Sequence, residues 1–144
     1  MNQSNDKTEA LVMQVLETAA SLERRLDGAL SFSRGITFSE YRLLRNLQRA
    51  EYGLTRVALA QLVSVTPSGV TRALKPLEKL GYVATVKNER DARQSLATLT
   101  EGGKQLLSDV AGVLDDSYAA LKIDDLNSHQ IQALQQGLAA LKQD

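Results

Sequence analysis

Hydrophobic and polar positions in the middle of the chain follow a helical period and then an extended one. Between Thr66 and Leu80, apolar side chains recur every three or four residues, and the opposite side carries hydroxyl and cationic groups. Thr66 can cap this helix, Pro67 suits its first position, and Gly81 suits the residue just past its end. The pattern predicts an amphipathic helix whose apolar face is Val70, Ala73, Leu74, Leu77 and Leu80.

A run of β-branched and aromatic residues follows at 82–86, and a second run with alternating character follows at 95–99. The intervening KNERDARQ, residues 87–94, is too polar for a core and too long for a two-residue turn. We expect a β-hairpin with an exposed loop. Arg90 and Arg93 at its tip are suited to a minor groove, and Asp91 is close enough to orient one of them. The alternative is an ordinary amphipathic helix followed by a hairpin with a solvated charged loop.

A shorter helix is predicted just before the amphipathic one, at residues 55–63, TRVALAQLV. Thr55 can cap it, and its apolar positions are Val57, Leu59, Leu62 and Val63. Only Ser64 and Val65 separate it from Thr66. Two helices joined so closely indicate a helix-turn-helix, the second helix being the one that reads a major groove.

Amphipathic helices are predicted on both sides of this central segment. The first of these helices starts near Thr8, after a frayed terminal segment, and gives way to a connection at residues 28–35. The capping-box pattern from Thr37 to Glu40 then begins a second helix, which ends near Gly53. Thr100 caps a long helix to about Leu121, and Asn127 or Ser128 caps the last. The apolar stripes of three of these helices could form a dimerisation surface or pack as a monomeric bundle, and periodicity alone leaves both open. The residues of the dimerisation surface would be Leu11, Val15, Leu22, Val113, Leu114, Leu134 and Leu138.

The order and spacing of several short motifs resemble those of the multiple-antibiotic-resistance regulator (MarR) family of winged-helix transcription factors. The motifs are Val70-Thr71-Arg72, Leu77-Glu78, Gly81-Tyr82-Val83, Asp91-x-Arg93, and Leu99-Thr100 with Gly103. The resemblance implies a mainly α fold with a small β-hairpin wing, in which a winged helix-turn-helix lobe at 37–103 is flanked by helical dimerisation regions at 1–36 and 104–144. Two features depart from the pattern: Ser64 stands where many such turns have glycine, and Pro76 lies inside the recognition helix, where it removes one backbone hydrogen bond.

The resemblance also implies partners and site residues. It implies a homodimeric repressor on a pseudopalindromic site in double-stranded DNA, relieved by a small phenolic or aromatic-acid effector. The DNA-binding residues would be Thr66, Ser68, Thr71, Arg72 and Lys75 in the recognition helix and Arg90, Asp91 and Arg93 in the wing.

Charge is segregated along the chain, although its formal net charge is zero. Residues 54–100 carry seven basic and three acidic side chains, a net +4, and residues 101–144 carry three and seven, a net −4. The positive excess therefore falls on the segment expected to meet phosphates. The chain has no cysteine, which excludes disulfides and thiol switches. It also lacks a membrane-spanning apolar run and the pattern of a signal peptide, so we expect a cytoplasmic protein with no membrane partner.

Residues capable of catalysis or metal binding are sparse. His129 is the only histidine, and the pairs Asp115-Asp116 and Asp124-Asp125 lack the spacing of a calcium loop. Gly102-Gly103 lacks the rest of a phosphate-binding loop. We expect no enzyme activity, cofactor or metal. Two alternatives remain: a module whose basic face binds an acidic protein, and a cofactor-less enzyme using His129 or an acidic pair.

Overall fold

A computed structural model describes residues 2–142, which form six α-helices, a 3-10 turn and a two-stranded antiparallel sheet. The elements are α1 (Gln3–Arg34), α2 (Phe38–Arg49), α3 (Arg56–Val63), α4 (Pro67–Lys79), β1 (Val83–Lys87), β2 (Ser95–Leu99), α5 (Glu101–Ala120), the 3-10 turn (Ile123–Asp125) and α6 (Ser128–Leu141). The predicted mainly α fold with a β-hairpin wing is confirmed.

Helix α1 is longer than predicted at both ends. It already begins at Gln3, and the expected connection at residues 28–35 is wrong because the helix continues to Arg34. Leu30 is fully buried, and its burial offsets the roughly 1 kcal/mol that a glycine at position 28 costs a helix. Gly35 ends the helix in the left-handed conformation, with φ of 69°, and its N–H donates to the Ser31 carbonyl.

Helix α2 begins as predicted and ends early. Both bonds of the capping box are present: the Glu40 N–H donates to Thr37 Oγ1 at 3.0 Å, and the Thr37 N–H donates to Glu40 Oε1 at 2.9 Å. The helix ends at Arg49, not near Gly53. The chain must leave the helix there because Leu54 pairs with Ala97 on the edge of the hairpin.

The helix-turn-helix is formed by α3 and α4, and both predicted caps are confirmed. Thr55 accepts from the Ala58 N–H and Thr66 from the Gly69 N–H. Ser64 takes the left-handed conformation in the turn, with φ of 56°, so serine fills the position where glycine is common. The inward face of α4 is Val70, Leu74 and Leu77, with Ala73 half-buried; Leu80 was wrongly placed there, since it lies beyond the last turn and is exposed.

The hairpin pairs in a register that runs from Val83 opposite Leu99 to Lys87 opposite Ser95. Val83 and Ala97 are buried and attach its base to the core. Thr100 then caps α5 by accepting from the Gly103 N–H, and its hydroxyl donates to the Gly81 carbonyl at 2.5 Å. The hairpin, the end of α4 and the start of α5 are therefore joined at one point.

One hydrophobic core unites α1 to α5, and α6 stands apart from it. No residue of α6 is buried, although it carries the apolar residues Ile131, Leu134, Leu138 and Leu141. Asn127, one of the two predicted caps, begins it through a capping box with Gln130. An apolar helix left without cover is what a helix of an oligomer interface looks like in a single protomer.

Candidate nucleic-acid interface

The outward face of α4 is a polar and cationic surface that no described element covers. Ser68, Thr71, Arg72 and Lys75 are all exposed along it. Among residues 2–142, Arg72 and Lys75 have neither an ion-pair partner nor a side-chain hydrogen bond, so both cations are available to phosphates or base edges. Thr66, also predicted to bind DNA, is occupied as the cap of the helix and lies 3.3 Å from the Ser68 hydroxyl.

Two local features shape this face. The Thr71 hydroxyl donates to the Pro67 carbonyl at 3.1 Å, which leaves its oxygen lone pairs as acceptors for a base. Pro76 is exposed on the second half of the helix, and the helix continues past it, since the Leu80 N–H donates to the Pro76 carbonyl at 3.0 Å. The helix is thus long enough, at 13 residues, to lie in a major groove.

The wing tip presents two arginines held by short side chains of the loop itself. Asp91 Oδ1 accepts from the Arg93 N–H at 3.1 Å and from Arg93 Nε at 3.2 Å, so the predicted orientation of one arginine by Asp91 is present. Asn88 Oδ1 accepts from the Arg90 N–H at 3.0 Å. The Arg93 side chain is 91% exposed. The Arg93 side chain therefore projects into solvent at the far end of the hairpin, while its backbone N–H and its Nε are held by Asp91.

One cation counted in the positive excess is not free. Arg56 is the first residue of α3, and its guanidinium contacts Glu78, Thr85 and Ser95. Sequence analysis missed this role because the three partners lie 22, 29 and 39 residues away along the chain. The only signal in the sequence was an arginine directly after a helix cap, which is not specific.

The seven residues predicted for dimerisation occupy two different environments. Leu11, Leu22, Leu134 and Leu138 are exposed, and Val15 and Val113 are half-buried. Leu114 is 2% exposed and belongs to the core of its own protomer, so it has almost no surface to offer a second chain. Val113 and Leu114 are adjacent members of one apolar stripe, and that pattern does not reveal which of the two faces inward.

Among residues 2–142, no three metal-ligating side chains cluster, and the only histidine of the chain, His129, is exposed. None of the helices in this part of the chain combines the length with the hydropathy of a membrane span. An open groove of about 750 Å³ runs between α1 and α5, where Phe32 is 96% exposed beside Val113.

Comparisons with known proteins agree with this geometry. A model described as the MarR family matches residues 34–94, which run from the end of α1 to the wing tip. The HTH-type transcriptional repressor Rv2887 of Mycobacterium tuberculosis is 37% identical over 87 residues, 60% of this chain. The match spans 61% of the length of that relative.

Solved structures extend the likeness beyond the matched segment. Sco3205, a MarR family transcriptional regulator from Streptomyces coelicolor solved in complex with DNA, has a TM-score of 0.85 at 27% identity, over 92% of this chain and 87% of that one. CouR from Rhodococcus jostii RHA1, solved bound to p-coumaroyl-CoA, has a TM-score of 0.81 over 93% and 92% of the two chains. Its 17% identity establishes the shared fold alone.

Proposed function

We propose that the chain is a member of the MarR family, whose model matches residues 34–94, and that it is a sequence-specific regulator of transcription that binds double-stranded DNA. We propose further that it acts as a homodimeric repressor whose binding is relieved by a small effector. The observation that carries the DNA-binding part is the face of α4 that no described element covers. Its cations Arg72 and Lys75 have no ion-pair partner among residues 2–142, and the arginine-tipped wing lies on the same lobe.

In the proposed complex, the α4 helices of two protomers enter successive major grooves about 34 Å apart. Ser68, Thr71, Arg72 and Lys75 meet base edges and phosphates, and Arg90 and Arg93 reach the flanking minor grooves. Selection of random duplexes by the full chain should therefore enrich a pseudopalindrome with half-sites centred about ten base pairs apart. Recovery of unrelated sequences would contradict sequence-specific binding.

The wing assignment predicts a loss of affinity in Arg93→Ala. Each protomer would lose one minor-groove cation, about 1 kcal/mol, which amounts to roughly 30-fold for a dimer, and the salt slope should flatten by about 1 per protomer. Fluorescence anisotropy with operator duplex at several salt concentrations measures both. Arg93→Lys keeps the charge and loses the planar contact with Asp91, so it separates charge from orientation. Unchanged affinity of Arg93→Ala at moderate salt would rule out the wing contact.

Dimerisation is proposed for the segments outside residues 37–103, namely 1–36 and 104–144, of which residues 1, 143 and 144 lie outside the described structure. The support is the uncovered apolar surface of α6 and of the first half of α1, with Leu11, Leu134 and Leu138 exposed. Large homodimer interfaces resemble a core cut in half, and these stripes have that composition. Two copies also double the positive excess presented to DNA.

This proposal predicts weaker self-association in Leu138→Ala. The substitution removes apolar surface twice per dimer, about 1 kcal/mol each time, so the dimer dissociation constant should rise roughly 30-fold. Sedimentation equilibrium measures the change. Leu80→Ala is the matched control, since Leu80 is also exposed but lies outside the proposed interface. Equal association constants for the two variants would show that α6 lies outside the dimer interface.

Relief of binding is proposed for small phenolic or aromatic acids, in keeping with the family resemblance. Such a ligand acts only if it prefers a protomer arrangement whose half-site spacing DNA rejects. The experiment is displacement of operator duplex by a panel of phenolic and aromatic carboxylic acids. A ligand that binds the protein and leaves the DNA affinity unchanged would not be an effector.

A further inference from the structure

The side chain of Arg56 joins α3 to three other elements of the DNA-binding lobe. Its Nη2 atom lies 2.9 Å from Thr85 Oγ1 on β1 and 3.4 Å from Glu78 Oε1 on α4, and its Nη1 atom lies 3.5 Å from Ser95 Oγ on β2. The Arg56 side chain is only 20% exposed. A guanidinium with three partners of this kind is fixed in place rather than solvated.

The partners of Arg56 also bind one another. The Thr85 hydroxyl donates to Glu78 Oε1 at 2.7 Å, so the carboxylate at the end of α4 receives a bond from β1 as well as from α3. Removing the guanidinium would leave Glu78 and Thr85 joined only to each other. The link from α3 to the hairpin, and the link to β2, would be lost.

The bridge reaches from the level of the buried core to the outer end of the hairpin. Thr85 pairs with Ala97, and Ser95 pairs with Lys87, so both hydroxyls lie on the face that carries Val83 and Ala97. Val83 and Ala97 are the buried residues of the two strands and attach only the inner half. Arg56 extends this attachment to the outermost pair, Lys87 and Ser95, where both strand residues are exposed.

The angle of the hairpin matters because its functional residues are at the tip. Five strand residues span about 17 Å, so a tilt of about 10° at the base would move the tip by roughly 3 Å. A displacement of that size exceeds the tolerance of a hydrogen bond. An arginine at the tip could then not reach the minor groove while α4 remains bound in the adjacent major groove.

We propose that Arg56 is a positioning residue that sets the angle between α4 and the wing, so that one protomer binds a major and a minor groove together. The inference rests on the proposed function. It adds that the two DNA-reading elements are coupled through one guanidinium that need not contact DNA itself.

The first test measures the angle without DNA. The chain has no cysteine, so spin labels can be attached at Lys75→Cys on α4 and Glu89→Cys at the wing tip, both exposed positions. Dilution with unlabelled chain leaves one labelled protomer per oligomer. Double electron–electron resonance should give a narrow distance distribution for the parent and one at least twice as broad for Arg56→Met, which keeps the aliphatic stem. Equal widths would overturn the proposal.

Two further variants make this result specific. Arg42→Met, an exposed arginine on α2, should leave the distribution unchanged. Glu78→Gln keeps the shape of the side chain and weakens its bond with Arg56, so it should also broaden the distance distribution. This variant takes the place of Arg56→Met if Arg56→Met does not fold. A broadening in Arg42→Met equal to that in Arg56→Met would also overturn the proposal.

The second test measures coupling on DNA. If Arg56 positions the wing, Arg93→Ala should cost at least threefold less affinity in the Arg56→Met background than in the parent. Equal losses in the two backgrounds would contradict the coupling. Failure of the parent chain to bind any duplex would refute the proposed function instead, and the distance measurement would still decide whether Arg56 fixes the wing.

Discussion

Arg72→Ala should weaken DNA binding more than any other single change on the recognition helix, by about 2 to 4 kcal/mol per dimer, or roughly 30- to 1,000-fold. Arg72 is exposed on α4 and has no ion-pair or side-chain hydrogen-bond partner among residues 2–142, so its charge is free to meet phosphate. A phosphate contact carries no sequence information. The loss should therefore be similar for all duplexes, and the salt slope should flatten by about 2 per dimer.

Matched variants distinguish a contact with the DNA phosphates from a contact with base edges. Thr71→Val removes a hydroxyl beside Arg72 and keeps the shape, so it should relax preference at one base position and leave the salt slope intact. Arg42→Ala, on the exposed side of α2, should change affinity little. The folding midpoint of Arg72→Ala should match the parent. A loss confined to the operator, with no change in salt slope, would assign Arg72 to base reading instead.

Gly103→Ala should destabilise the protein by about 3 kcal/mol, which for a chain of this length lowers the melting temperature by roughly 6–12 °C. Gly103 is buried in the first turn of α5, and a methyl group there would overlap the Tyr82 carbonyl and the Leu99 side chain. The carbonyl is not free to move away, because it accepts from the Thr100 N–H at 3.1 Å. The substitution would push apart the start of α5 and the base of the wing.

Gly112→Ala is the control in the same helix. Gly112 is exposed in the interior of α5, and a methyl group there would meet nothing within 4 Å. The gain in helix propensity should stabilise this variant by about 0.5 to 1 kcal/mol. Thermal unfolding of both variants at one protein concentration gives the comparison. Equal stability of Gly103→Ala and the parent would contradict the close approach of α5 to Tyr82.

Elements with local signals could be predicted from the sequence. The caps at Thr37, Thr55, Thr66 and Thr100 and the left-handed Gly81 depend only on neighbouring residues, and all are present. The loop between the strands was predictable for the same reason, since seven of the eight residues at 87–94 are polar, although Lys87 belongs to β1. The location of the recognition helix and wing followed from these boundaries.

Features that depend on distant contacts could not be predicted. Gly28 suggested a loop, but burial of Leu30 against the core keeps α1 helical there. Leu114 and Val113 have the same apolar character, and only packing shows that Leu114 is internal. The bridge from Arg56 to Glu78, Thr85 and Ser95 forms only when four elements pack together. No sequence spacing therefore predicts it.

Titration of the full chain against the duplex upstream of its own gene, and against a scrambled duplex of equal composition, tests sequence-specific DNA binding most directly. At several salt concentrations, we expect two chains per site and tight binding that weakens as salt rises. We also expect a preference of at least 10³-fold over the scrambled duplex. Equal weak binding to both duplexes, together with no enrichment from a random pool, would contradict a sequence-specific regulator.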